Sequence, residues 1–390
     1  MPSPRPINAR YLFAGLLVLL VSLAAGLMLW NQRQEALSRA RMVTSNLADS
    51  LAQNLGSMVS NIDYALQVSS DEISHQIANR ELDPDKVTRF MVRQQQRFPY
   101  LDLLRATNAQ GDAIYGEGVP KPPASLAQRD YFKYLRDTPD AGLVIAEPII
   151  GKISQRWIWL MARRINHPDG SFAGLIYGSI FIDELQKLLE RMQLSPGSVI
   201  SLRDSQMRNV ARTTFDDNKR LPIGDNRHSP ALHAALVDNP LQGSYDSDVL
   251  TPDQVRRIYS YRRNEQYGFL VLVGMPFDEV LADWYRQTTL VGGLVLLFAL
   301  ATLVYVRQSE RARQAGAASL ARLEQTQFAM DKAGIGIHWV DADSGRVLYV
   351  NHYAAAMLGY TEAEMLALSV PDFDQSFSNA PFHEATAPLR

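Results

Sequence analysis

Two uncharged apolar segments dominate the pattern of hydrophobic and polar residues along the chain. They cover residues 11–30 and 288–306. A hydrocarbon core about 30 Å thick needs about 20 helical residues at 1.5 Å each, so each segment fits one membrane-spanning helix. Tyr11, Trp30 and Tyr305 lie at the segment ends, where aromatic rings favour the headgroup region. The first segment is longer than the apolar region of about 7–15 residues in a signal peptide, which argues against cleavage.

Charges beside the second apolar segment predict its orientation. The residues after the segment include four arginines: Arg307, Arg311, Arg313 and Arg322. The residues before it include three acidic side chains: Asp278, Glu279 and Asp283. The positive-inside rule places the residues after the segment in the cytoplasm. Two spans also bring both chain ends to the same side. We therefore expect a cytoplasmic N-terminus at 1–10, an extracytoplasmic domain at 31–287 and cytoplasmic residues from 307 onward.

The extracytoplasmic segment begins with a long helical pattern and continues with strands. Apolar residues recur every three or four positions from Ala36 to Ile77, which predicts one helix of more than forty residues. The order strand–turn–strand, helix, strand–turn–strand then occurs twice. Predicted strands lie within 101–116, 142–150, 156–165, 172–181, 199–213, 257–262 and 268–274, and predicted helices are Ser125–Asp137, 183–193 and 229–237. This order indicates an α+β fold in which two antiparallel sheet modules share the N-terminal helix.

Composition and charge exclude several classes of function. The 39 Lys and Arg residues nearly balance the 41 Asp and Glu residues, so the chain lacks the basic excess of a nucleic-acid-binding protein. The absence of cysteine excludes disulfides, thiolate metal sites and a cysteine nucleophile. His228 and His233 are five residues apart, not the four that place two ligands on one helical face, so we predict no metal site. We find no catalytic motif in residues 1–390, and the residues present require no cofactor.

Two segments of the first module carry a family resemblance. They are QRDYF at 128–132 and WIWLMARRINHPDGSFAG at 157–174. Together with the flanking apolar segments and the long helix, they resemble the double Cache (PDC-type) extracytoplasmic sensor domains of bacterial signalling proteins. The resemblance covers residues 31–287. It implies a multi-pass receptor of the bacterial inner membrane whose sensor domain lies in the periplasm.

The residues after the second apolar segment begin another module. Residues 307–325 are charged and Ala-rich, which predicts a signalling helix that continues from the membrane span. Residues 326–390 resemble the N-terminal part of a PAS domain, on the segments FAMDKAG at 328–334, LYVN at 348–351 and LGY at 358–360. Thr361 and Glu364 have the spacing of a capping box. The remaining strands of a PAS sheet are missing, so we expect the protein to continue past residue 390, and such modules imply a homodimer.

Strand alternation places the candidate ligand site in the first module. Trp157, Trp159 and Arg163 share one face of a predicted strand. Aromatic rings exclude water and a guanidinium binds both carboxylate oxygens, so this face suits a small anion. The candidate ligand residues come from this face, the next strand and the covering helix: Arg129, Tyr131, Arg163, Tyr177 and Ser179. The alternative is that the tryptophans belong to the core and that Arg129 pairs with Asp130 on the surface.

The resemblance also bears on the kind of ligand. Amino-acid-binding double Cache domains carry an R-x-W-Y pattern on the covering helix and an aspartate on the later strand for the amine. Arg129 fits the pattern, but Tyr131 and Phe132 stand where Trp and Tyr are expected, and Ser179 stands where the aspartate would be. An ammonium group would lack its counter-charge. The resemblance therefore favours a carboxylate without an amine, or no ligand, over an α-amino acid.

We expect the ligand in the first module rather than in the second, which begins at Val199. The second module offers mainly Arg257, Arg262 and Arg263, and no aromatic wall is predicted around them. A ligand needs both the charge and the enclosing apolar surface.

Three functions are compatible with these features. The first is a transmembrane receptor whose output domain makes or degrades cyclic di-GMP (GGDEF or EAL). The second is the same receptor on the histidine kinase of a two-component system. The third is a chemoreceptor without an enzyme. The PAS segment argues against this function, and so does the linker 307–325, which is too short for a HAMP relay. No GGDEF, EAL or kinase H-box sequence occurs in residues 1–390, so the choice between the first two rests on association alone.

Overall fold

The computed structural model describes residues 9–192, 195–213, 221–247, 254–332 and 334–377. The chain divides into two compact units. The central unit is Ala25–Val291, and the terminal unit comprises the residues up to Ala24 and those from Gly292 onward. The predicted α+β class is confirmed.

Helix α1 (Ala9–Ala78) runs for 70 residues without a break. Its first part contains the apolar segment 11–30, whose side chains are mostly exposed. From Leu37 onward one stripe of the helix is buried at spacings of three and four, which is the amphipathic pattern that predicted it. Helix α7 (Ala282–Lys332) contains the second apolar segment. Both helices are long and apolar enough to cross a membrane, judged by length and composition.

The first module of the central unit is an antiparallel sheet covered on both faces. Its strand order is β2-β1-β6-β5-β3, and β4 also pairs with β5. The strands are β1 (Leu103–Thr107), β2 (Ala113–Gly116), β3 (Val144–Ile145), β4 (Ile149–Ile150), β5 (Trp157–Asn166) and β6 (Phe172–Phe181), and the helices are α2 (Pro84–Gln96), α3 (Asp130–Asp137) and α4 (Ile182–Glu190). Trp159 and Met161 of β5 pack in one core with α1, whereas Ile158 and Leu160 pack in a second core with α3.

The second module repeats this plan with five strands in the order β8-β7-β11-β10-β9. Its elements are β7 (Val199–Arg203), β8 (Asn209–Arg212), α5 (Pro230–Asp238), β9 (Gln242–Asp246), β10 (Arg257–Arg263), β11 (Leu270–Pro276) and α6 (Phe277–Val280). One face of this sheet shares the core around α1, and α5 covers the other. Two polar contacts also join the sheet to α1: Thr44 bonds the hydroxyl of Ser260 at 2.7 Å, and Arg41 pairs with Asp246 at 3.1 Å.

The terminal unit ends in a small α/β segment. Its elements after α7 are β12 (His338–Val340), β13 (Val347–Val350), α8 (His352–Leu358), α9 (Glu362–Leu366) and α10 (Val370–Phe373). The capping box predicted at Thr361 and Glu364 is present at the start of α9. Residues 378–390 and the last residue of the helix predicted at 183–193 lie outside the described residues.

Two local predictions were wrong, and two elements were missed. The helix predicted over Ser125–Asp137 begins only at Asp130, because Leu126 N donates to Gly111 O and ties this stretch to the preceding turn instead. The strand predicted at 142–150 is two short strands, since Pro148 between them has no N–H to donate. Strand β9 and helix α2 were not predicted at all.

Candidate functional site

A small cavity of about 20 Å³ lies on the α3 side of the first sheet, beneath the segment 149–154. Three of the five predicted ligand residues line it. Arg129 precedes the first residue of α3, Tyr131 lies in the first turn of that helix, and Tyr177 lies in the middle of β6. Strand β6 and the start of α3 therefore bring together residues that are nearly fifty positions apart.

The guanidinium of Arg129 is only partly satisfied. Its Nη2 donates to Ile150 O at 2.9 Å, which attaches it to the segment above the cavity. Its Nε is buried and has no hydrogen-bond partner among the described residues. A buried donor without an acceptor costs about 1–3 kcal/mol, and a bound carboxylate would remove that cost.

Two further cationic side chains line the cavity, and sequence reasoning missed both of them. Arg105 of β1 donates from Nε to Glu117 O at 2.9 Å, and Lys152 donates from Nζ to Ser125 O at 2.8 Å. Both side chains are thus held by backbone carbonyl oxygens. Among the described residues that line the cavity, none is acidic. The site is therefore electrostatically suited to an anion.

The two tyrosines remain protonated and can donate. Burial raises the pKa of Tyr131 and also raises the pKa of Tyr177. Tyr131 is 7% exposed and Tyr177 is 4% exposed. Because neither phenol ionises near neutral pH, both hydroxyls are available as donors to an acceptor in the cavity.

Ser179 lies beside the cavity rather than in its wall. Its cross-strand neighbours Leu103 and Leu160 line the cavity, whereas Ser179 itself is fully buried between them. Its hydroxyl has no hydrogen-bond partner among the described residues. A small shift of β1 or β5 would be needed before this hydroxyl met a ligand.

The placement of Arg163 in the ligand site was wrong. Arg163 shares a face with Trp159, as strand alternation predicted, but α1 covers that face. The guanidinium pairs with Asp63 of α1, with 2.9 Å between Nη2 and Oδ2. Trp159 is fully buried, so the alternative that it is a core residue is the correct one. Trp157, at the start of the strand, is 38% exposed and lines a shallow surface depression with Arg129 and Lys152.

Metal-ligating side chains do not cluster in the described part of the chain. No group of three or more His, Asp or Glu side chains is close enough there to hold a metal ion. The rings of His228 and His233 approach to 5.9 Å between centroids, and no third such ligand joins them among the described residues.

Comparison with known proteins identifies the two parts of the chain. Residues 321–387 match the PAS domain family. The extracellular domain of rpHK1S-Z16, described as a histidine kinase, is 26% identical, with a TM-score of 0.55 over 64% of this chain and 99% of that domain. The chain is therefore similar to an extracellular sensory domain over its central part and to a PAS domain over residues 321–387. This confirms the resemblance to double Cache sensors that precede PAS domains.

Two chemoreceptor domains are among the solved structures that the chain matches. The periplasmic sensory domain of the Campylobacter jejuni chemoreceptor Tlp1 has a TM-score of 0.50 at 12% identity, over 62% of this chain and 96% of that domain. The ligand-binding domain of the C. jejuni chemoreceptor Tlp3 in complex with L-valine has a TM-score of 0.47 at 14% identity, over 64% and 97%. At these levels the likeness says nothing about the ligand of this sensor. Comparison with curated protein sequences gives no significant match.

Proposed function

We propose that this chain is the sensory part of a transmembrane receptor in the inner membrane of a bacterium. In this proposal the apolar segments 11–30 and 288–306 span the membrane, residues 31–287 lie in the periplasm, and the PAS domain from residue 326 lies in the cytoplasm. The linker 307–325 joins the second span to the PAS domain. The continuity of α7 from Ala282 to Lys332 supports this arrangement, because one helix connects the apolar segment to the PAS side.

The first module is the proposed ligand site, and its ligand is a small carboxylate without an amine. The unpartnered Nε of Arg129 carries this proposal, since it is a buried donor aimed at no acceptor in a cavity lined by three cations. Tyr131 and Tyr177 supply further donors, and Ser179 joins them only after a shift of β1 or β5. No described lining residue offers a carboxylate to an ammonium group, which disfavours an α-amino acid.

The size of the cavity limits the ligand. A cavity of about 20 Å³ has room for about one water molecule and none for a carboxylate. Binding requires the segment 149–154 to move outward, and Arg129 is bonded to that segment through Ile150 O. A short carboxylate of two to four carbons would need less displacement than a longer one. Competition for Arg129 between Ile150 O and the ligand is a direct way to couple binding to this movement.

The output of the receptor is proposed here by association alone. Cyclic di-GMP turnover remains a candidate on the association of such sensors with GGDEF and EAL domains. A histidine kinase is the second candidate, and the 26% identity to the extracellular domain of rpHK1S-Z16 favours it. The structural similarity to the chemoreceptor Tlp1, at 12% identity, supports only a shared fold.

Calorimetry with the full chain in nanodiscs tests the ligand site. The titrants are acetate, propionate and pyruvate, with glycine and L-valine as the amino-acid comparison. A charged hydrogen bond contributes about 1.5–3 kcal/mol, so Arg129→Ala should weaken carboxylate binding about ten- to a hundredfold. Arg129→Lys should recover only part of the affinity, since an ammonium group cannot make two parallel bonds.

The matched control is Arg136→Ala, near the end of α3, where the side chain of Arg136 is exposed and pairs with its neighbour Asp137. It should bind like the unaltered chain. Equal carboxylate affinity in Arg129→Ala would show that the site is misplaced. Binding of the amino acids alone would show that the argument from Ser179 is wrong.

A further inference from the structure

A second, larger cavity lies in the second module, on the sheet face that α5 covers. Its volume is about 260 Å³, close to the lower end of the range of about 300–1,000 Å³ for small-molecule sites. Side chains of all five strands form its floor, with Arg212 contributed by β8, and residues around the start of α5 form its rim. This cavity is more than ten times as large as the one in the first module.

The arginines expected from the sequence do not form this cavity. Arg257 donates to Gly197 O at 2.8 Å, Arg262 pairs with Asp49 at 3.2 Å, and Arg263 donates to Pro240 O at 3.0 Å. Each of these three arginine side chains therefore connects two segments of the chain and does not face the cavity. The expectation that the second module lacks an aromatic wall was also wrong, because Tyr245 and Tyr259 line the cavity.

Arg203 of β7 supplies a buried positive charge at the cavity. The residue is 4% exposed, and burial lowers the pKa of its guanidinium. Its Nη1 donates to Met207 O at 2.6 Å and its Nη2 donates to Arg227 O at 3.0 Å. It forms no ion pair with a carboxylate of the described residues. The carboxylate of Asp225 attracts this guanidinium from beyond ion-pair distance, whereas the guanidinium of Arg212 repels it. Burying a cation is costly, and an anion in the cavity would offset part of that cost.

Ser201 places an unpartnered donor on the same face of the same strand. It lies two residues before Arg203, so both side chains point to the same side of the sheet. Ser201 is 2% exposed, lines the cavity, and its hydroxyl has no partner among the described residues. Arg203 and Ser201 therefore provide a charged and a neutral donor for one anionic group.

The rest of the wall is apolar and partly flat. The rings of Tyr245 and Tyr259 are stacked, with 5.3 Å between centroids and 9° between planes. Leu232 and Leu272 complete this part of the wall, and both are almost fully buried. A flat apolar body would gain burial against these rings, which a bare inorganic anion would not.

We propose that the second module binds a second ligand, a small organic carboxylate with a flat apolar body. The carboxylate accepts hydrogen bonds from Arg203 and Ser201, and the body lies against Tyr245, Leu232 and Leu272. No acidic side chain occurs among the described lining residues, so an amine on the ligand would have no counter-charge there. The receptor would then carry two carboxylate sites of different size, one on each sheet.

Calorimetry with the full chain in nanodiscs tests this site with three probes. Benzoate has both the charge and the flat body, benzamide has the body without the charge, and phosphate has the charge without the body. Benzoate should bind at least tenfold more tightly than either of the others. Binding of benzamide or phosphate as tight as that of benzoate would overturn the proposal.

Three variants assign the binding to this cavity. Ser201→Ala removes one neutral donor without disturbing a contact and should weaken benzoate binding about three- to tenfold. Arg203→Lys should weaken it at least tenfold. Arg89→Ala, on α2, removes an exposed arginine and should leave benzoate affinity unchanged. Unchanged benzoate affinity in Ser201→Ala would overturn the assignment of the ligand to this cavity. This variant tests the assignment even if Arg203→Lys loosens the turn at Met207, to which Arg203 donates. The first-module site is tested separately with short carboxylates and Arg129, so either proposal can fail alone.

Discussion

The glycine that ends the segment RRINHPDGSFAG occupies a position where no side chain fits. Gly174 has a φ of +146°, and a Cβ added there would lie 2.1 Å from the backbone oxygen of Thr107 on the neighbouring strand. Gly170, in the preceding turn, has a φ of +82°, but a Cβ there would meet nothing within 4 Å. The two glycines of one motif therefore serve different purposes. Gly170 permits a turn, whereas Gly174 permits both an unusual backbone and the close approach of two strands.

Replacing each of these glycines by alanine should separate the two effects. Gly170→Ala carries only the strain of a left-handed backbone and should cost about 1–2 kcal/mol of unfolding free energy. Gly174→Ala adds a clash with the backbone of β1 and should cost about 3 kcal/mol or more. Urea unfolding followed by tryptophan fluorescence measures both, since Trp159 is buried in the adjacent core. Equal losses in the two variants would contradict this account of Gly174.

Single residues also mark the limit of strand alternation as a guide to the site. The pattern correctly grouped Trp159 and Arg163 on one face of β5, but it could not tell which face α1 would cover. The partner of Arg163 is Asp63, a hundred positions away on a helix whose pattern gave no sign of a pair. Arg129 and Tyr131 were predicted on the covering helix, where Arg129 fits a family pattern, whereas Tyr177 was predicted from strand alternation. Arg105 had no such signal.

At the scale of elements, prediction succeeded where the hydrophobic pattern repeats over many residues and failed where it covers only a few. Helix α1 repeats its apolar stripe over many turns, so its course was clear from the sequence. Strand β9 reads QGSYD, without the alternating β-branched and apolar residues of a typical strand, and it was missed. Tyr245 of that strand stacks on Tyr259 of β10, so the second cavity could not be predicted without β9.

The part of α7 that follows the apolar segment leaves apolar side chains uncovered. Leu320, Leu323 and Phe328 are each more than 60% exposed, and no side chain between Arg311 and Met330 is buried in the described structure. Leu320 and Leu323 are three positions apart and lie on one side of the helix. A second copy of the same helix is the partner expected for a PAS-linked signalling helix in a homodimer.

Disulfide crosslinking tests this pairing of helices. Single cysteines placed one at a time along Ala317–Gln325, in a chain that has no cysteine of its own, should crosslink with a period of about 3.5 residues. The maxima should fall at Leu320 and Leu323, and the positions on the opposite side, such as Arg322, serve as the internal control. A flat profile would argue against a parallel homodimer through this helix.

At the scale of the whole molecule, the order of segments was predictable because each rests on a separate physical signal. Uncharged runs of about twenty residues indicated the two apolar helices, and the repeated strand–helix order indicated the two sheet modules. The sites were less predictable, since each cavity is formed by strands that are distant in sequence and adjacent only in the folded sheet. Arg203, Tyr245 and Tyr259 lie on three strands of the second module and meet only through its order β8-β7-β11-β10-β9.

Membrane topology is the claim on which the sensor function depends most directly. A reporter enzyme that is active only outside the cytoplasm can be fused after Asn239, between α5 and β9, and after Arg322, within α7. The arginines that follow the second apolar segment predict activity at Asn239 and none at Arg322. A cytoplasm-active reporter at the same two positions should give the reverse pattern. Activity of the first reporter after Arg322, or its absence after Asn239, would contradict a periplasmic sensor with a cytoplasmic PAS domain.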